Sequence, residues 1–195
     1  MDEEKSFPEL RVGEKIRELR EQKGLSLQEM STRTGYTSAL LSQVENHFIS
    51  PPLGALIKIA KALEVKVGTF FGDEPRESYA IVRKDERKHI SRYASKEGVS
   101  YGYSYESLGF DKKDRQMEPF LVSLEPATVK SEKLSSHDGE EFIFILEGEM
   151  EAILGDHKDV LYPGDCIYYD SAIPHKVQCH REIPTKILAV IWTPQ

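Results

Sequence analysis

The sequence predicts a multidomain α plus β chain, in which an all-α N-terminal domain precedes an all-β C-terminal domain. Apolar residues recur at helical spacing over residues 27–63. From Tyr79 onward the period becomes strand-like, with short segments rich in β-branched and aromatic residues. The stretch between these regions is polar and rich in turn formers. We therefore expect domains at 1–72 and 79–195, joined by a linker at 73–78.

Residues 24–54 have the pattern of two short helices joined by a tight turn, followed by a connection into another helix. Gly35 interrupts the helical pattern where a sharp turn needs a residue that adopts positive φ. Thr37 follows as a predicted N-cap of the next helix. Pro51 and Pro52 end one segment and open the next. The second helix of such a unit is suited to enter a DNA major groove.

This region resembles the helix-turn-helix domain of the phage-repressor family (Cro/C1-type, or XRE), over roughly residues 12–71. The run ALLSQVEN followed by PPLGALIKIAKAL is close to the family pattern. Arg20 and Glu45 fall where those repressors pair a helix-1 arginine with a recognition-helix glutamate. The resemblance implies that residues 25–34 cross the DNA backbone and that residues 37–46 form the recognition helix. The positions that match its DNA-binding residues are Gln28, Thr37, Ser38, Ala39, Ser42 and Gln43.

Two of these side chains have specific expected roles. Gln43 can pair bidentately with adenine, and Gln28 can hydrogen-bond a phosphate and set the register. A two-fold dimer would read a palindromic operator in double-stranded DNA, with half-sites about one helical turn apart. The alternative is a small helical bundle with no role in nucleic-acid binding.

Charge is distributed unevenly along the 195 residues. Residues 1–72 contain 10 Lys+Arg and 10 Asp+Glu, whereas residues 73–195 contain 16 and 23, and the whole chain has a net charge of −7. The chain therefore lacks the general basic surface of a strong DNA binder. DNA binding would depend on locally placed cations and on a dimer that adds two half-sites.

Several absences indicate a cytoplasmic protein. The sequence has no apolar run long enough to span a membrane, and its acidic start differs from a secretory signal. Cys166 and Cys179 are the only cysteines and lie in strand-like segments. A reduced compartment fits them best, and we expect both to be small buried hydrophobic side chains.

Two segments of the β region contain the residues expected to do chemistry. The first, SSHDGEEFIFILEGE, contains His137 and Glu141, and the second, PGDCIYYDSAIPHKV, contains His175. These segments resemble the two motifs of the cupin family, a small jelly-roll barrel made of two sheets. The resemblance implies that His137, Glu141 and His175 hold a metal inside the barrel. Ser135 stands where cupins have the first histidine of motif one.

Motif two also departs from the cupin pattern, at Asp170, Ala172 and Cys179. Two imidazoles and one carboxylate form a ligand set that leaves positions open on a non-haem Fe(II). The same set suits Zn, Mn or Ni, so the sequence does not identify the metal. The alternative is that these three residues are ordinary loop, strand and turn residues. Tyr103 and Tyr105 would line one face of a strand, where they either contact a ligand or pack in the core.

The order of the two domains resembles two classes of protein. One is the class of bacterial transcription regulators in which a cupin domain binds a small-molecule effector and alters DNA affinity. The other is hydroxypropylphosphonate epoxidase, a non-haem iron oxygenase with a degenerate helix-turn-helix, which has functional residues where this chain has Lys23 and Tyr105. Because the recognition segment stays close to working repressors, we favour the regulator, with no catalytic residue assigned, over the Fe(II)-dependent oxidoreductase.

Overall fold

The computed structural model describes residues 11–49, 51–71, 77–90, 102–126, 134–181 and 183–194. The residues outside these ranges are 73–76 of the predicted linker, 1–10, 50 and 72 of the predicted first domain, and 91–101, 127–133, 182 and 195 of the predicted second domain. The described residues form a helical N-terminal part, here called the head, and a β-sheet C-terminal part, here called the barrel. This arrangement confirms the predicted fold class.

Short helices build the head, and the predicted turn residue Gly35 and the predicted N-cap Thr37 mark the end of one and the start of the next. Ser26 and Glu29 form a capping box at the start of the second helix, and Gly35 ends that helix in the left-handed conformation at φ 72°. The Thr37 side chain accepts a hydrogen bond from the backbone N–H of Leu40 at 3.2 Å, which caps the third helix. The helices are α1 (Val12–Gln22), α2 (Leu27–Thr34), α3 (Ser38–Glu45) and α4 (Leu53–Ala62), followed by a 3₁₀ turn at Val67–Phe70.

Two antiparallel sheets build the barrel. The larger sheet has the strand order β1-β2-β3-β9-β4-β7, and the smaller has the order β6-β5-β8. The strands are β1 (Lys88–Ile90), β2 (Tyr103–Ser107), β3 (Met117–Leu124), β4 (Glu140–Glu147), β5 (Met150–Leu154), β6 (His157–Leu161), β7 (Cys166–Asp170), β8 (His175–Cys179) and β9 (Thr185–Trp192).

Strand register brings the motif residues together. Glu141 on β4 lies opposite Tyr169 on β7, and a β-bridge joins Ser135 to His175 at the start of β8. Alternate side chains of β4 point inward, so Glu141 is buried in the same row as Ile143. The two cupin-like motifs, far apart in sequence, therefore meet inside the barrel.

The head packs directly against the barrel. The rings of Phe71 and Phe120 meet edge to face, with centroids 4.8 Å apart. The Tyr105 hydroxyl of β2 donates a hydrogen bond to the carbonyl of Pro51, which precedes α4, at 2.9 Å. Lys61 of α4 also forms an ion pair with Asp138. Because buried apolar residues of both parts belong to one continuous cluster, the head and the barrel share a core.

The cysteine prediction was half wrong. Both cysteines are free, and Cys179 is buried, but Cys166 is exposed. Cys166 starts β7, an edge strand of the larger sheet, and its side chain lies on the outer face. Among the described residues, no helix is both long enough and apolar enough to cross a membrane.

Candidate functional site

The positions matched to DNA-binding residues lie together at the exposed end of the head. Gln28, Thr37, Ala39 and Gln43 are exposed, and Ser38 and Ser42 are half-buried. Ser38 joins α3 to α2, because its hydroxyl lies 3.2 Å from the side-chain oxygen of Gln28. Thr37 uses one lone pair as the N-cap of α3, and its hydroxyl proton is left to donate outward. The barrel does not cover this face.

A buried ion pair fixes α3 against α1. The guanidinium of Arg20 donates to both carboxylate oxygens of Glu45, at 2.7 and 2.9 Å, and also to the carbonyl of Leu25 at 2.8 Å. The pKa of Arg20 is raised, chiefly by the hydrogen bond to Glu45. This two-pronged pair holds the recognition helix at a defined angle, because it constrains both partners' orientations. The pairing expected from the sequence is therefore present.

The three predicted metal ligands converge inside the barrel. The Nε2 atom of His137 lies 2.8 Å from Oε1 of Glu141, and the Nε2 atom of His175 lies 3.5 Å from the same oxygen. All three side chains are buried, and their ligand atoms lie within 4.8 Å of one another. Ligand atoms bound to one ion at 2.0–2.2 Å stand roughly 3 to 3.5 Å apart. Small side-chain adjustments would therefore bring all three onto one metal.

Backbone carbonyls orient both imidazoles. The Nδ1 atom of His175 lies 2.8 Å from the carbonyl of Ile173, and the Nδ1 atom of His137 lies 3.2 Å from the carbonyl of Asp138. A proton on each Nδ1 would leave each Nε2 lone pair directed at the centre, which is the tautomer that a metal requires. The donor set thus fits a divalent ion that accepts nitrogen and oxygen ligands.

The electrostatics keep a negative charge at this centre. Without a metal, burial raises the pKa of Glu141, but hydrogen bonds from His137, His175 and Tyr169 outweigh burial and lower the pKa to about 2. Burial lowers the pKa of His175, but the hydrogen bond and the charge of Glu141 outweigh it, and the pKa is raised. Tyr169 donates its hydroxyl to Oε2 of Glu141 at 2.7 Å. Burial and the Glu141 charge raise the pKa of Tyr169, so it stays protonated as a donor.

A cavity of about 530 Å³ adjoins two of the three predicted metal ligands. Glu141 and His175 lie in its wall, together with the predicted pocket residues Tyr103 and Tyr105. Their rings stack with centroids 6.2 Å apart. Burial raises the pKa of Tyr103 to about 12 and that of Tyr105 well above its ordinary value. Both tyrosines are therefore neutral, and both belong to the core as well as to the cavity wall.

Some residues of the site were not predicted from the sequence. Tyr169 was missed, although strict alternation along CIYYD would have pointed one of its two adjacent tyrosines inward. Ser135, noted only as a missing histidine, lines the cavity, and its buried Oγ has no hydrogen-bond partner among the described residues. Lys23, which the epoxidase resemblance singled out, lies at the C-terminus of α1 and pairs with Glu64 at 3.3 Å on the head surface.

Comparisons with known proteins agree with this architecture. The helix-turn-helix family model matches residues 16–70, and the cupin domain family model matches residues 120–191. The HTH-type transcriptional regulator PuuR of Escherichia coli (strain K12) is 25% identical over 168 residues, covering 85% of this chain and 86% of PuuR.

Solved structures show the same fold along almost the whole chain. An HTH_3 family transcriptional regulator from Vibrio cholerae superposes with a TM-score of 0.62 at 24% identity, covering 95% of this chain and 97% of that chain. The Fe(II) form of the epoxidase HppE superposes with a TM-score of 0.50 at 24% identity, covering 94% and 98%. The chain therefore combines an N-terminal helix-turn-helix domain of the XRE type with a C-terminal cupin domain.

Proposed function

We propose that this protein is a dimeric transcription regulator that binds a palindromic DNA operator and that its cupin domain senses a small molecule. In this proposal residues 1–72 form the DNA-binding domain, residues 73–78 the linker and residues 79–195 the sensor, and the protein works in the cytoplasm. The observation that supports it best is the uncovered α3 face, where Ala39 and Gln43 are exposed although the rest of the helix packs against the protein.

In this proposal the residues of that face contact DNA in different ways. Gln43 reads a base edge through its amide, and Gln28 contacts a phosphate and sets the register of the helix. Thr37, Ser38 and Ser42 add hydroxyl donors, and Ala39 leaves room for a thymine methyl group. Since the head has little net charge, each half-site binds weakly, and the dimer supplies the affinity.

The test is selection of bound fragments from a random duplex pool, followed by affinity measurement at several salt concentrations. We expect an inverted repeat with half-sites about one helical turn apart. Gln43→Ala should weaken operator binding roughly 5- to 150-fold and relax specificity at one base. Gln116→Ala is the matched control, because Gln116 is exposed on the barrel. No enrichment at low salt would refute DNA binding, and a monomer in sedimentation at operator-binding concentrations would refute the dimer.

We also propose that His137, Glu141 and His175 hold a divalent metal. A bound metal would supply a Lewis-acidic site with open positions for an anionic or neutral effector group. The protein's own residues orient the ligands and, through Tyr169, satisfy the second oxygen of Glu141. Metal analysis of the purified protein, compared with Glu141→Ala and His175→Ala, tests this. A metal content that neither substitution changes would exclude the three residues as its ligands.

A non-haem iron oxygenase resembling hydroxypropylphosphonate epoxidase is the second candidate, supported by the buried two-histidine, one-carboxylate set beside a cavity. The regulator is preferred because PuuR, a relative along most of the chain, is a transcriptional regulator. Anaerobic loading with Fe(II), followed by O2 and a series of phosphonates, separates the two. Turnover that His137→Ala abolishes without unfolding the protein would establish the enzyme, whereas metal binding with no turnover and retained operator binding supports the regulator.

A further inference from the structure

The cavity beside Glu141 and His175 is not confined to the barrel. Its wall includes Tyr36, Leu40 and Val44 of the head as well as Tyr103 and Val122 of the barrel. A volume of about 530 Å³ is within the range of small-molecule sites. Because both parts form the wall, a molecule that fills the cavity touches the DNA-binding head and the sensor at the same time.

Helix α3 has two faces with different surroundings. Leu40, Leu41 and Val44 line the cavity, whereas Ala39 and Gln43 are exposed on the opposite side. The helical period of 3.6 residues produces this separation within only eight residues. A molecule in the cavity and DNA on the exposed face would therefore contact opposite sides of the same helix, and the N-cap Thr37 belongs to both surfaces.

We propose that this cavity is the effector site and that the effector regulates DNA binding by direct contact with the back of the recognition helix. The inference rests on the proposed function, which supplies the DNA-binding role of α3. It makes the recognition helix itself part of the effector site, so no signal has to pass through the linker. An effector with different affinities for the DNA-bound and free arrangements of α3 changes operator affinity, and DNA changes effector affinity by the same factor.

The wall indicates the chemistry of the effector. Most of the cavity is lined by aliphatic and aromatic side chains, which favour an apolar body. At one place Ser135 and His175 come together, since their backbones exchange hydrogen bonds at 2.8 Å in both directions. The buried Oγ of Ser135 lacks a partner, and a buried hydroxyl in that state favours a polar group that can satisfy it. The effector class is therefore a small amphipathic molecule with one carboxylate or hydroxyl head group.

A single hydrogen bond provides a way to test the coupling. Tyr105 and Tyr103 stack in the same wall, but their hydroxyls bond to different parts of the protein. The Tyr105 hydroxyl donates to Pro51 of the head at 2.9 Å, whereas the Tyr103 hydroxyl donates to Val177 of the barrel at 3.0 Å. Tyr105→Phe therefore removes a link between head and barrel. Tyr168→Phe is the control, because Tyr168 is exposed and its hydroxyl bonds Glu140 within the barrel, outside the cavity wall.

The experiment uses the full chain and two probe series, the straight-chain carboxylates from hexanoate to decanoate and the corresponding primary alcohols. Calorimetry should show one site per chain and an affinity that rises about fourfold per methylene in at least one series. The best probe should change operator Kd at least fivefold, and operator should change probe affinity equally. Tyr105→Phe should reduce that coupling at least threefold, and Tyr168→Phe should leave it unchanged. Comparison of the two series shows whether the head group is anionic or neutral.

Several results would overturn the proposal. One is a probe affinity that does not depend on the length of the probe's alkyl chain. Another is probe binding that leaves the operator Kd unchanged. A third is the same coupling in both phenylalanine variants. If Tyr105→Phe does not fold, Leu53→Trp replaces it, because half-buried Leu53 lines the cavity from the head and a larger side chain there should weaken probe binding at least tenfold. Unchanged binding in that variant would also overturn the proposal. If probe affinity rises with the length of the alkyl chain but no operator sequence can be selected, the proposed function is refuted and the shared site is supported.

Discussion

Replacing Arg20 by methionine should destabilise the protein, because it leaves the carboxylate of Glu45 buried without its main partner. The side chains of Arg20 and Glu45 are only 12% and 4% exposed, and both carboxylate oxygens accept hydrogen bonds from the guanidinium. Breaking a buried pair of this kind costs about 3–5 kcal/mol. Arg17 remains 3.6 Å from Glu45 and compensates part of the charge. We therefore expect the lower end of the range, about 3 kcal/mol.

The assay is urea unfolding of the single variants Arg20→Met and Glu45→Met and of the double variant, followed by far-ultraviolet circular dichroism. The double variant removes both charges, and it should recover at least half of the loss seen in Arg20→Met, because an apolar pair of similar volume tolerates burial. The reasoning would be refuted if Arg20→Met cost less than about 1 kcal/mol, or if the two single losses simply added. Operator affinity should fall in Arg20→Met, since the pair also orients α3.

Three further predictions concern the barrel. In protein freed of metal by chelation, the Glu141–His175 pair should stabilise most between about pH 4.5 and 6.5. Because the pKa of Glu141 is lowered, its carboxylate stops stabilising the protein as pH falls from 4.5 toward 2 and it becomes protonated. Because the pKa of His175 is raised, its imidazolium stops stabilising the protein as pH rises through that pKa and the proton is lost. Adding Zn²⁺ should raise Tm more at pH 8 than at pH 6, because coordination requires neutral imidazoles. Gly148→Ala should cost about 1–3 kcal/mol in urea unfolding, since φ is +78° and the added Cβ would lie 2.7 Å from the Pro184 carbonyl.

Each of these has a control and a contradicting outcome. Glu141→Gln should flatten the acid side of the stability profile, and an unchanged profile would show that other carboxyls cause it. A Zn²⁺ effect independent of pH would contradict coordination through His137 and His175. Gly155 is the matched control for Gly148, because it also has positive φ but nothing lies within 4 Å of an added Cβ. Equal losses at both glycines would mean that backbone strain alone, without the close contact, sets the cost.

Much of the head could be predicted because its signals are local. Gly35 and Thr37 define the turn and the start of α3 within a few residues of sequence, and the structure places both as expected. The ligand set His137, Glu141 and His175 could be identified through motif resemblance, and strand register then explains how it converges. The site-residue assignments themselves remain predictions for mutagenesis.

The sequence did not predict how the head meets the barrel. The contact between Tyr105 and Pro51 joins residues that are far apart in the chain, and neither has a local pattern that indicates the other. Exposure of Cys166 also depended on which face of β7 turns inward, because Cys166 and Tyr168 share the exposed face and Tyr169 lies on the buried one. Interactions of this kind follow from the arrangement of whole elements, which propensity and periodicity do not encode.

The position of β9 in the larger sheet has a consequence for biosynthesis. Thr185–Trp192, the last strand in sequence, lies in the middle of the sheet and pairs along its length with both β3 and β4. The sheet therefore cannot close on the ribosome until this strand has left the exit tunnel, whereas the head, built from local contacts, can fold much earlier. Nascent chains halted before residue 185 should have protease-resistant helices and unprotected strands. During that interval the apolar back of α3 faces water, so a chaperone is most useful to this protein in the period before β9 emerges.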